Sequence, residues 1–175
     1  APLAHNAPRC VRCWTRYCNA TCQHTYHYLG WLEEALRMRR EVYSGRFKLD
    51  GKESVRTITA ASNYAMSLIS LKRFEEARSL LRKTMPVARR VLGNSDELMF
   101  KMNQIYARAL CQDPGATLDD LREAVTKLED VERAARQVFG GAHPFTEGIG
   151  RELQDARAAL AAREAGRSVV FVESN

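Results

Sequence analysis

The residues best suited to chemistry lie near the N-terminus, where four of the five cysteines fall within thirteen positions. Their spacing is C-x2-C-x4-C-x3-C, and two histidines follow, giving the set Cys10, Cys13, Cys18, Cys22, His24 and His27. Zn²⁺ prefers thiolates and imidazoles, and a C-x2-C turn brings two thiolates to one ion. The spacing favours one zinc ion held by the four cysteines, with the histidines as alternative ligands. Disulfides in an oxidising compartment, or free thiols, fit the same cysteines.

One stretch of this cluster also has the sequence pattern of a known zinc-binding module. Residues 16–23 read RYCNATCQ, which resembles the second half of a MYND finger, where Tyr-Cys and Cys-Gln pairs stand at a helix start. The resemblance implies a small Cys-rich module over residues 1–30. In that family the two cysteine pairs serve different ions. The four cysteines would therefore share one ion in a rearranged site, or use further ligands upstream of Ala1.

The net charge of +6 is unevenly distributed, because residues 1–31 contain arginines and no acidic residue. Arginines interleaved with aromatic residues can stack on single-stranded nucleic acid. Packing of the Cys-rich module against the following helices explains the same residues, so we do not expect a nucleic-acid partner. No apolar run reaches the roughly 18 residues that a membrane-spanning helix needs. We expect a cytoplasmic protein, with an organelle as the alternative if a targeting peptide has been removed.

The segments that must position these residues show an internal repeat. One alanine position and one glycine position recur at offsets of 42 and 47 residues. They are Ala35, Ala77 and Ala124, and Gly51, Gly93 and Gly140. The pattern Tyr-Ala-x-x-Leu at residues 64–68 recurs at residues 106–110. The five extra residues of the second interval fit the turn-rich stretch at residues 112–116, since loops accept insertions. A repeat of this length predicts stacked supersecondary units.

Each repeat unit reads as a pair of helices. Residues 74–92 carry apolar side chains every three or four positions, and Gly93 is suited to a helix stop. Thr117 is a candidate N-cap, and Pro144 is suited to a first helical turn. The sequence predicts an all-α solenoid of about three helix-turn-helix units over residues 31–165. Residues 166–175 form a tail. Its residues 168–172 have the only pattern of alternating side chains in the sequence that is typical of a β-strand.

The repeat units resemble the tetratricopeptide repeat (TPR). The resemblance is carried by Phe-Glu-Glu-Ala at residues 74–77, Val-Leu-Gly at residues 91–93 and Gly-Gly-Ala-His-Pro at residues 140–144. The 42-residue spacing and the His-Pro pair are similar to the kinesin light chain subtype. This implies a concave face that binds peptides or protein surfaces, with an asparagine contacting the peptide backbone. Asn63 stands at that position, with Ile105 and Glu152 at the equivalent places, and Tyr64 and Tyr106 are further partner-binding candidates.

These features point to a non-catalytic scaffold or adaptor that binds a partner protein or peptide through a TPR-like surface. The alternative is a small fixed subunit of a larger multiprotein complex. MYND fingers and helical repeats also flank the catalytic domain of some lysine methyltransferases, so a fragment of such an enzyme is a third reading. The chain has no phosphate-cradling loop with lysine, no nucleophile elbow and no H-E-x-x-H motif, and we do not expect an enzyme.

Overall fold

The computed structural model describes the backbone of residues 20–172 and the side chains of residues 30–165. All the regular secondary structure of this part of the chain is helical, which confirms the all-α prediction. Six helices follow one another: α1 Ala20–Asp50, α2 Val55–Ser70, α3 Phe74–Leu92, α4 Glu97–Cys111, α5 Leu118–Phe139 and α6 Pro144–Val172. Within the described range, none of these helices is apolar over a stretch long enough to cross a bilayer.

The helices form two layers. Each helix packs against the next along the chain, and α4 also contacts α2 and α6 directly. Within the described residues, α1, α3 and α5 do not come within 8 Å of one another at their Cα atoms. The closely spaced helices α2, α4 and α6 therefore form the inner layer of a curved stack, and α1, α3 and α5 form the outer layer. This arrangement is the predicted α-solenoid.

Small residues set the spacing between helices. Ala65, Ala77, Ala107 and Ala124 are all fully buried in the core, and their small side chains leave room for neighbouring helices. Larger side chains then fill the space between layers, among them Leu68, Leu81 and Phe100. Burying such side chains is the main favourable contribution to folding, and single hairpins cannot achieve it alone.

The three repeat glycines have one shared geometry. Gly51, Gly93 and Gly140 follow the outer helices α1, α3 and α5, with φ of 77°, 82° and 88°. Side chains are strongly disfavoured in this region of φ, which explains glycine at all three places. The offset seen in the sequence is therefore a structural repeat of the turn from outer to inner helix.

Polar residues fix the starts of two helices, and the second of these caps is the one predicted at Thr117. The Asp96 carboxylate accepts a hydrogen bond from the Leu98 backbone N–H at 2.8 Å at the start of α4. Thr117 and Asp120 form a reciprocal capping box at the start of α5. Both arrangements satisfy backbone donors that have no partner within the helix.

The two ends of the described chain differ from the sequence predictions. The helix α1 begins at Ala20 and so crosses the predicted boundary between residues 30 and 31. Residues 168–172, whose alternation is β-like, belong to α6 rather than to a strand. Local β-propensity is weak evidence near a helix that can simply continue. A separate Cys-rich module finds no support in the described residues.

Candidate functional site

The inner layer carries a cluster of side chains contributed by three helices. Met66 lies on α2, Gln104 and Arg108 lie on α4, and Glu152 lies on α6. We call these four residues the inner patch. Gln104 and Arg108 are four residues apart, so both project from the same face of α4. The inner patch is therefore a consequence of helix periodicity and of the close approach of the inner helices.

Arg108 is the centre of the inner patch. Its guanidinium donates to Glu152 Oε1 on one side and lies 3.7 Å from Met66 Sδ on the other. Gln104 Nε2 donates to the same Glu152 oxygen at 2.8 Å. One arginine thus links all three inner helices, and one carboxylate oxygen accepts from two residues of α4.

The ion pair within the inner patch remains accessible to solvent. The side chains of Arg108 and Glu152 each keep 28% of their surface exposed. A pair in this position contributes little to stability, typically about 1 kcal/mol or less, because water competes for both charges. The guanidinium can therefore exchange its partner for a carboxylate or carbonyl of a bound chain at low cost.

A cleft borders the inner patch between α4 and α6. Its volume is about 260 Å³, and its lining includes Arg108, Cys111, Glu152 and Asp155. Burial, with a smaller contribution from the Glu152 charge, raises the pKa of the Cys111 thiol to about 11. The thiol is therefore protonated at neutral pH and is a poor nucleophile. A ligand in the cleft would therefore meet polar side chains and the unreactive Cys111 thiol.

Asn63, the asparagine matched by resemblance, lies on the exposed face of α2. Its backbone carbonyl accepts a hydrogen bond from Arg39 Nη1 of α1 at 3.1 Å. At the same repeat position, Ile105 is only 4% exposed and Glu152 pairs with α4. Asn63 is exposed because no inner helix precedes α2 in the described chain. The structure places Glu152, but neither Asn63 nor Ile105, in the inner patch.

The two candidate tyrosines lie between the layers, away from the inner patch. Tyr64 stacks on Tyr43 of α1, with ring centroids 6.1 Å apart. Tyr106 is only 3% exposed, and its hydroxyl accepts a hydrogen bond from Arg82 Nε of α3 at 3.0 Å. Burial raises the pKa of Tyr106 above its ordinary value. Each tyrosine lines a cleft on the outer side of the stack, of about 360 and 320 Å³ respectively.

The predicted zinc ligands cannot be placed as a group. Cys10, Cys13 and Cys18 lie outside the described residues, and Cys22, His24 and His27 fall on α1 where only the backbone is described. Among the residues whose side chains are described, no three histidine, cysteine or acidic side chains gather around a common point. The zinc ion and its ligands stay a prediction.

Sequence reasoning did not single out Gln104 or Arg108. In the sequence, Glu152 stands out only by its place, which is equivalent to that of Asn63. The repeat offset itself would have found part of the inner patch: Met66 and Arg108 of the patch and Asp155 of the adjoining cleft occupy one repeat position, separated by 42 and 47 residues. Successive units place methionine, arginine and aspartate at this position. Such variation is typical of a surface rather than of a buried core.

Comparison with known proteins identifies one repeat. The family model described as tetratricopeptide repeat matches residues 57–97. The matched region contains almost all of α2, all of α3 and the first residue of α4. It supports the TPR assignment and pairs α2 with α3, an inner helix followed by an outer one. None of the curated proteins matches this chain. TPR units generally mediate contacts between proteins.

Proposed function

We propose that this protein is a non-catalytic adaptor that binds an extended segment of a partner protein along the inner layer. The observation that carries the proposal is the inner patch, in which Arg108 connects α2, α4 and α6. A chain lying across these helices would meet Met66, Arg108 and Glu152 in succession. These side chains supply an apolar contact, a forked donor and an acceptor.

The chemistry of the inner face favours a partner with its own polar groups. Lys101, Arg108 and Asp155 share the exposed inner face with Thr59 and Met66. Backbone carbonyls and carboxylates of a bound segment could accept from Arg108 and Gln104, which already donate to Glu152. On binding, Arg108 and Gln104 would exchange their hydrogen bonds to Glu152 for hydrogen bonds to the bound segment. These donors would therefore never be buried without an acceptor.

The inner helices also supply the rigid frame that such binding needs. Ala107 and Leu110 of α4 are fully buried, so the backbone that carries Gln104 and Arg108 is fixed by core packing. Side chains held on rigid elements lose little further freedom when a partner binds. This rigidity supports an adaptor that presents a fixed binding surface.

A displayed library of random peptides tests the proposal. We expect the unmodified chain to enrich a consistent peptide motif, and Arg108→Ala to weaken binding of the enriched peptide about tenfold or more. The matched control is Arg133→Ala, which removes an exposed arginine of α5 whose ion pair with Asp130 spans 3.5 Å. Binding that survives Arg108→Ala but fails with Arg133→Ala would place the site elsewhere.

The fixed-subunit alternative predicts a different experimental outcome. A permanent partner would cover the inner patch in every preparation from the native source, and the isolated chain would bind no short peptide. Native electrophoresis of a cell extract separates the two, since a fixed subunit migrates with its large complex whereas an adaptor migrates apart from any such complex. The methyltransferase reading predicts activity with a labelled methyl donor, which this proposal does not.

A further inference from the structure

The outer helix α1 exposes a row of large apolar side chains. Trp31, Met38, Val42 and Leu49 keep 66%, 55%, 56% and 82% of their surface exposed. Together with Ala35 and Gly45 they are spaced by four and three residues in alternation. This 3.5-residue period places all six on one seam of the helix, as in a coiled coil. We call the six residues the α1 stripe.

The repeat shows what the α1 stripe lacks. Val42 corresponds to Thr84 of α3 and Val131 of α5, which are only 9% and 4% exposed. The helix α3 packs between α2 and α4, and α5 packs between α4 and α6, whereas α1 contacts only α2 in the described chain. The face that is covered in α3 and α5 by the preceding inner helix is therefore open in α1. A helix fits there without displacing α2.

We propose that the α1 stripe is covered by the α1 stripe of a second copy of this chain, in antiparallel orientation. The order of side chains supports this pairing because it is symmetric about its centre. Antiparallel alignment sets Trp31 against Leu49 of the second copy, Ala35 against Gly45 and Met38 against Val42. Large residues meet at the ends and in the middle, and the two small residues meet between them, where they let the backbones approach.

The charges beside the stripe agree with the antiparallel alignment. On one flank, Glu34 of one copy comes opposite Lys48 of the second copy, and Lys48 forms no ion pair within the described residues. Glu41 lies near its own symmetry mate, but Arg37 donates to both Glu34 and Glu41 and offsets that repulsion. On the other flank, Arg39 is directed to α2, where it donates to the Ser67 hydroxyl at 2.7 Å.

The opposite end of the stack argues against head-to-tail assembly. Among its described residues, α6 presents no large apolar side chain to solvent. The α1 stripe of one copy would therefore meet no large exposed apolar side chain among the described residues of α6 in another copy. Pairing of two identical stripes closes the assembly at two copies, as expected for a two-fold interface.

Sedimentation over a range of concentrations tests the pairing. We expect a reversible dimer, and we expect Val42→Glu to raise its dissociation constant at least about tenfold, because a charge would be buried near the centre of the interface. The matched control is Val138→Glu, which introduces the same charge at a valine of α5 that is 49% exposed. Circular dichroism checks that both variants remain helical. A monomer at all concentrations, or equal effects of the two variants, overturns the proposal.

A photo-crosslinking amino acid at position 31 determines the orientation. Antiparallel pairing predicts crosslinks to residues near Leu49 of a second copy, identified by mass spectrometry of isotope-labelled mixtures. Crosslinks between the two copies of position 31 would indicate parallel pairing and contradict the proposal. Crosslinks to residues 1–19 of the same chain would show that the chain covers its own stripe and would also contradict it.

Discussion

The two ends of the solenoid are built from the same repeat and terminate differently. At the α1 end, an apolar seam stays open to solvent, with Leu49 82% exposed. At the α6 end, charged side chains connect the last helix to the rest: Arg157 pairs with Glu129 at 2.7 Å, and Arg163 donates to the Ala116 carbonyl at 3.1 Å. A stacked repeat needs a polar cap wherever the stack stops. The comparison teaches that the described part of α6 has the polar surface of a cap, whereas α1 does not.

The largest expected difference between the ends concerns core packing. Ile149 of α6 is fully buried, whereas Leu36 of α1 keeps 8% of its surface exposed. We expect Ile149→Ala to lower the free energy of unfolding by about 3 kcal/mol and Leu36→Ala by about 2 kcal/mol, because the cavity beside an open face collapses more easily. Urea unfolding followed by circular dichroism measures both. A larger loss for Leu36→Ala would mean that the α1 end is the better packed one.

The repeat glycines allow the same substitution at both ends. Gly51 and Gly140 have φ of 77° and 88°, and an added Cβ would meet nothing within 4 Å at either place. Only backbone strain remains, so Gly51→Ala and Gly140→Ala should each lower the free energy of unfolding by about 2 kcal/mol. Urea unfolding of both variants should give equal losses. Unequal losses would show that one end unfolds before the other.

The capping box of α5 predicts a pH dependence near the α6 end. A hydrogen bond from the Thr117 backbone, aided by the Thr117 hydroxyl and by Arg78 and Arg82, holds the pKa of Asp120 below its ordinary value. A carboxylate with a lowered pKa stabilises the fold above its unfolded pKa of about 4 and loses that contribution as the pH falls through its folded pKa. We expect Asp120→Asn to lower the free energy of unfolding by about 1 kcal/mol at pH 7.

The control for this prediction is the same comparison in acid. Because Asp120 becomes protonated there, the stabilities of Asp120→Asn and the unmodified chain should converge as the pH falls below about 4. Asp119 is the matched control residue, since its side chain is 92% exposed and pairs with Arg122 at 3.2 Å. A difference that persists at low pH would assign the effect to side-chain shape.

The smallest expected effect concerns the polar links of the cap. Removing the Arg163 side chain deletes its bond to the Ala116 carbonyl, which lies in the loop before α5. We expect Arg163→Ala to lower the global stability by only about 0.5 kcal/mol, since the carbonyl regains water. Hydrogen exchange of α6 should speed up near residue 163 and remain unchanged in α1. Faster hydrogen exchange in α1 instead would contradict the expectation that the two ends open independently.

Much of the fold follows from the sequence by physical reasoning. The predicted apolar period over residues 74–92 matches α3 residue for residue, because its ends carry strong signals, an acidic first turn and Gly93. The predicted cap at Thr117 and the predicted start near Pro144 are also confirmed. These signals are local, so they need no knowledge of the neighbouring helices.

The parts that escaped prediction depend on contacts between distant residues. The start of α1 at Ala20 carries no acidic residue in its first turn, and the last residues of α6 have β-branched side chains. The inner patch joins residues 42 to 48 positions apart, through Arg108 with Met66 and Gln104 with Glu152. Helix periodicity gives the face on which a residue lies, but the partner across the layer depends on how the helices stack.

The shared geometry of Gly51 and Gly93 has a consequence for how such a chain can grow. Because the backbone leaves the two glycines in nearly the same conformation, with φ of 77° and 82°, residues 51–92 behave as an exchangeable cassette. A tandem duplication of these 42 residues would insert one complete inner–outer hairpin without altering either terminus. The solenoid can therefore lengthen by whole hairpins, and each turn from an outer to an inner helix keeps the same backbone geometry.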